Sequence, residues 1–104
     1  MEERFIIQLY EQTGCTVIKF SQNLRAQQTR GIADLLILLD HPKVNTSWWH
    51  EVKRRQGPEY YKVQYGQTPH QKAFQQHVES VGHTYILGPL STATAKLVEL
   101  GILR

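Results

Sequence analysis

In WWHEVKRR, residues 48–55, Glu51 and Lys53 are separated by a single valine in a stretch that otherwise reads as a core strand. Alternate residues of a strand share a face, so Glu51 and Lys53 point the same way as Trp49, while Trp48, His50, Val52 and Arg54 point the other way. Burying a carboxylate and an ammonium is costly unless they are paired or bound to something. Asp34 sharpens the question, because it opens an aliphatic run that should lie beside the Glu51 strand. Two carboxylates brought close repel, and one is driven to hold its proton unless a cation lies between them. A hard divalent ion such as Mg²⁺ takes oxygen ligands, commonly one or two carboxylates together with waters and substrate phosphate. The Val52 carbonyl would add a third protein oxygen, and Lys53 would orient a water or neutralise charge on a phosphate. Such parts suit hydrolysis of a phosphodiester. By itself an E-x-K is a common surface pair worth under about 1 kcal/mol. The combination of aspartate, all-aliphatic strand, hairpin and E-x-K is what points to a metal site, and it requires Asp34 within about 8 Å of Glu51 and Lys53 on the same side.

The elements that must position these residues can be read along the chain. Phe5, Ile6, Leu9 and Tyr10 fall at helical spacing over 3–13, and Gly14 is a good stop. CTVIKF, 15–20, reads as a strand, and the polar 21–31 as a loop. IADLLILLD, 32–40, is apolar on both faces and predicts a central strand covered on both sides. HPKVNTS turns the chain, and 48–55 returns as an antiparallel hairpin partner. Thr68-Pro69-His70-Gln71 is a helix start, with Thr68 as N-cap, proline at the first helical position and Gln71 completing a capping box. That helix runs to about Val81 with Phe74, Val78 and Val81 as its apolar stripe, and Gly82 ends it. HTYIL, 83–87, is a short strand, and Ser91 caps a last helix through Leu100. The order αβββαβα implies one α/β domain over 1–104, a small mixed sheet of about four strands flanked by helices.

Composition narrows the class. The 104 residues carry a formal charge of +3, mildly basic, which permits a nucleic-acid partner without requiring one. Cys15 is the only cysteine, so no internal disulfide and no cysteine-based zinc site forms, and a reducing, intracellular setting fits best. The N-terminus is too polar for a signal peptide, and no apolar run approaches the ~20 residues of a membrane span.

G-I-A-D-L-L-I-L-L followed by H-E-V-K resembles the PD-(D/E)xK nucleases, and the downstream T-P-H-Q-K-A-F and V-G-H-T-Y-I-L resemble the VRR-NUC branch, especially its small stand-alone viral and phage form. The likeness covers nearly the whole chain in order. It implies a restriction-endonuclease-like core, with Asp34 and Glu51 as metal ligands, Lys53 as the catalytic lysine and Gln71 as the active-site glutamine of the helix. Related Holliday-junction resolvases place a glutamate on the first helix. Glu3 holds the corresponding place, with Glu2 and Glu11 as neighbouring alternatives. The motif proline is replaced by Ala33, and the interval from Lys53 to Gln71 is longer than usual by the length of EYYKVQYG. The resemblance also implies a homodimer, and the cytoplasm of a bacterial host if the protein is phage-encoded.

Gln71 has two readings, capping box and active site, that compete for one side chain. His50, His77 and His83 lack ligand spacing and read as surface or core histidines. Lys19, Arg25, Arg30, Arg54, Arg55 and Lys62 lie near the predicted active edge, where they would contact DNA phosphates or remain solvated cations. Tyr60, Tyr61 and Tyr65 would stack on unpaired bases or pack a hairpin or dimer interface. Trp48 and Trp49 share a strand, so one fills the core while the other faces elsewhere or an interface. The expectation is a Mg²⁺- or Mn²⁺-dependent DNA endonuclease, homodimeric and selective for branched DNA such as four-way junctions, with no small-molecule cofactor and no membrane. The alternatives are a module of the same fold that binds nucleic acid without cutting, and a protein-binding adaptor.

Overall fold

The structure is a computed structural model that describes residues 2–20, 31–53 and 67–103. Helix α1 (Glu2–Gln12) leads into β1 (Cys15–Lys19), followed by β2 (Leu35–His41), β3 (Val44–Val52), α2 (Pro69–Ser80), β4 (Thr84–Gly88) and α3 (Leu90–Glu99). The order is the αβββαβα expected. The four strands form one sheet in the order β1-β2-β3-β4. The first three are mutually antiparallel and β4 is parallel to β3, so α2 lies on the crossover between them.

The hairpin is tighter than the sequence suggests. His41 pairs with Val44, which leaves only Pro42 and Lys43 to turn. Residues 44–47 therefore belong to β3, although their polar side chains resemble a loop. The ladder with β2 outweighs their weak strand propensity. The last helix begins at Leu90 behind Pro89, with no side-chain cap, so Ser91 lies inside the helix and does not cap it.

Strand alternation divides the core into two layers. Leu35, Ile37, Leu39 and Trp48 meet Ile6 and Tyr10 of α1 and Ala93 and Leu97 of α3 on one face. On the other, Tyr85 and Ala33 meet Val78 of α2, flanked by Trp49, Phe74 and Leu87. Among the described residues only α2 covers this second face. The aliphatic run of β2 predicts burial on both sides, yet Leu38 is 38% exposed, and Ile18 of β1 on the same face is 39% exposed. Phe5 and Val81 likewise lie outside the core their spacing suggested. Trp48 is fully buried, while Trp49 is half-buried between Phe20 and Phe74, its ring centroid 5.6 and 5.1 Å from theirs. Among the described residues no helix is long and apolar enough to cross a membrane.

Candidate active site

The β2–β3 register builds the site. Leu35 lies opposite His50, so continuing the ladder by one step sets Asp34 opposite Glu51. Asp34 stands just before β2, and its side chain replaces the missing rung: Oδ2 accepts a hydrogen bond from the Val52 N–H at 2.9 Å. Its own carbonyl accepts from the Phe20 N–H at 3.0 Å, tying it to β1 as well. On β3, alternation sends His50 to the α1–α3 face and Glu51 to the α2 face. The Lys53 N–H donates to the Gly88 carbonyl at 3.1 Å, which carries the alternation one residue past the strand. The Lys53 ammonium thus returns beside Glu51, Nζ to Oε2 at 3.5 Å.

Helix α2 brings Gln71 to the same point. Thr68 is the N-cap, Pro69 opens the helix, and the capping box is complete: Thr68 Oγ1 accepts from the Gln71 N–H at 3.1 Å while Gln71 Oε1 accepts from the Thr68 N–H at 2.9 Å. The expected competition between capping and site does not arise. The same Oε1 also accepts from Lys53 Nζ at 3.3 Å, and Nε2 donates to Glu51 Oε2 at 2.9 Å. One amide closes the helix and bridges the acid to the lysine. Gly31, with φ of +76°, presses its backbone on this turn, and a Cβ there would overlap the His70 carbonyl.

The electrostatics follow from burial. Glu51 is 2% exposed. Burial, then the neighbouring Asp34 charge, push its carboxyl up to about 8, with Lys53 only partly opposing. Asp34 is also raised, chiefly by burial, with relief from the Val52 N–H and an added push from the charge of Glu3. The Asp34 charge is among the causes that raise Glu51, so the two carboxyls act on one another across the β2–β3 ladder. Glu51 Oε1 is buried with no hydrogen-bond partner among the described residues. An orphaned carboxylate oxygen beside a second carboxyl fits a divalent cation, since hard ions take such oxygens. Among the described residues no three His, Cys, Asp or Glu side chains cluster to hold an ion by themselves. A metal here would rest on Asp34 and Glu51, with backbone or solvent oxygens completing its shell.

The remaining candidates are placed unequally. Glu3 makes an ion pair with Lys19 at 3.2 Å, on the Asp34 side of the site, and joins no ligand cluster. Arg25, Arg30, Arg54, Arg55 and Lys62, and Tyr60, Tyr61 and Tyr65, lie outside the described residues. Sequence reasoning missed Tyr85 and Gln67. The Tyr85 hydroxyl accepts from Gln67 Nε2 at 3.4 Å, and Gln67 Nε2 also donates to Gln75 of α2 at 2.7 Å. The pair braces the start of α2, and no spacing in the sequence announces it. Nor does any spacing announce the buried His50–Tyr10 contact on the opposite face.

No family model matches the chain, and no curated protein does. Among solved structures, one described as a VRR_NUC domain matches with a TM-score of 0.64 at 23% identity, covering 93% of this chain and 89% of that one. The four-stranded mixed sheet flanked by helices, with Asp34, Glu51, Lys53 and Gln71 gathered at one end of it, is thus built on the fold of a VRR_NUC domain.

Proposed function

We propose that the protein is a metal-dependent DNA endonuclease of the VRR-NUC family, of PD-(D/E)xK type. The observation that carries this reading is the half-buried Asp34 set beside the buried Glu51, with its unpartnered Glu51 oxygen, held against Lys53 and Gln71 on this fold. Asp34 and Glu51, with the Val52 carbonyl, would hold Mg²⁺ or Mn²⁺, and Glu3 would act from the helix side. The ion supplies Lewis-acid stabilisation of charge on the phosphoryl group.

The residues divide the remaining work. Lys53 offers a proton donor and a positive charge to the attacking water or a non-bridging phosphate oxygen. Gln71 fixes the lysine by accepting from it, and fixes the glutamate by donating to it. Burial keeps the Glu51 carboxyl poorly solvated, which strengthens its attraction to a cation. DNA is the proposed partner, with branched forms such as four-way junctions the preferred substrate and a homodimer providing two symmetric cuts. Lys19 is the one described cation among those assigned to phosphate contact, and its ion pair with Glu3 leaves it 57% exposed.

Incubation with labelled junctions and flaps in Mg²⁺ or Mn²⁺ tests the reading. Cleavage should fall at least about 100-fold in Lys53→Ala, the scale of losing one electrostatic stabiliser. Equal cutting by wild type and variant would end it. The alternative, a module that binds nucleic acid without cutting, predicts no Mn²⁺ affinity dependent on Asp34 and Glu51.

A further inference from the structure

We propose that His50 is a positioning residue that sets the backbone of Lys53 through the carbonyl of Gly88. The inference rests on the reading of Lys53 given above. His50 and Tyr10 are both 0% exposed. The imidazole Nε2 lies 3.0 Å from the Gly88 oxygen, which can only accept, so Nε2 carries the proton. Nδ1 is then the acceptor, and the Tyr10 hydroxyl donates to it at 2.7 Å. That hydroxyl in turn accepts from Trp48 Nε1 at 3.2 Å. Donors and acceptors therefore run in one direction, from Trp48 through Tyr10 and His50 to Gly88, and the tautomer is fixed.

The chain ends where the site begins. The Gly88 carbonyl also accepts the Lys53 N–H at 3.1 Å. Lys53 stands one residue beyond Val52, the last residue of β3, and this bond keeps it in strand register. Gly88 itself is confined: its φ is +152°, and a Cβ would overlap the Thr92 hydroxyl. One carbonyl is thus shared between an imidazole from the core and the Lys53 N–H, and it sets where the lysine leaves the sheet. An aliphatic residue at position 50 would fill the same space without the cost of burying an imidazole. The structure uses the histidine where a directed donor to Gly88 is needed.

The test compares His50→Gln, whose amide can still donate toward Gly88, with His50→Leu, which fills space without a donor, and with Tyr10→Phe, which removes the hydroxyl that donates to Nδ1. The first readout is hydrogen exchange of the Lys53 amide, normalised to the core amides of Ile37 and Leu39. The second is cleavage of a labelled four-way junction in Mn²⁺, with DNA affinity measured separately in Ca²⁺. In His50→Leu the normalised exchange and the loss in kcat should each reach about tenfold, DNA affinity holding, because small displacements of a positioned group cost that much or more. His50→Gln should restore both. Equal behaviour of the Leu and Gln variants, or changes that only track global stability, would overturn the inference. If His50→Leu does not fold, Tyr10→Phe carries the comparison with the same expected direction. If the wild type cuts no DNA, the nuclease reading has failed, and Lys53 exchange alone decides this one.

Discussion

Glu51 directs one carboxylate oxygen to Gln71 and Lys53 and leaves the other, Oε1, without a partner among the described residues. Without a cation its pKa rises from 4.5 to about 8, so the folded chain binds more protons than the unfolded chain between those values. Stability of the metal-free protein therefore falls as pH rises through that window. His50 acts oppositely: burial lowers it from 6.5 to about 4, so the folded chain binds fewer protons there and stability is lost as pH falls from 6.5 towards 4. Above 6.5 only the carboxyls operate. Thermal melts in a chelating buffer should therefore show stability falling as pH rises from 6.5 towards 8, where the raised Glu51 carboxyl loses its proton and His50 no longer titrates. Glu51→Gln should flatten the alkaline limb. Binding of Mn²⁺ must displace the Glu51 proton, so apparent affinity should rise up to about pH 8 with proton release, measurable by calorimetry in buffers of different ionisation enthalpy.

At the scale of elements, the start of α2 is the joint on which the site turns. Thr68→Ala removes the acceptor for the Gln71 N–H and should cost about 1 kcal/mol in urea unfolding. Gly31→Ala should cost about 1–3 kcal/mol from its positive φ and its clash with the His70 carbonyl, and should weaken Mn²⁺ binding by displacing the Gln71 turn. The element order, the Thr68 cap and the face shared by Glu51 and Lys53 were legible because each depends on local spacing. The same spacing could not show that Asp34 completes the β2–β3 ladder, since that is a matter of register between distant segments. Nor could it show that Gln71 serves cap and site together, because that needs both amide atoms placed against β3. The start of β3 at Val44 was hidden by polar side chains whose pairing, not propensity, makes them strand. His50 reads in sequence as an ordinary histidine, and only burial against Tyr10 reveals its direction.

At the scale of the whole molecule, the two faces of the sheet are unequal. Among the described residues the α1–α3 face is sealed, whereas α2 covers only part of the other. Ile37→Ala, on the sealed face, should cost about 2–5 kcal/mol. Leu38→Lys, one residue along on the open face, should stay within about 0.5 kcal/mol, and urea titrations of the two variants measure the contrast.

The parallel pairing of β4 with β3 requires the chain leaving Lys53 to travel back along the sheet before it can re-enter. Lys53 is anchored by Gly88 where the chain leaves β3, and Gln71 by Thr68 and the Gly31 backbone where α2 begins that return. Neither anchor draws on the length of what joins them. Residues can therefore be added between 54 and 66 at a closure cost that grows only logarithmically, roughly 0.6 kcal/mol per doubling, while the distance from lysine to glutamine stays fixed. The interval between Lys53 and Gln71 is thus a place where new surface can be acquired while the chemical centre keeps its dimensions.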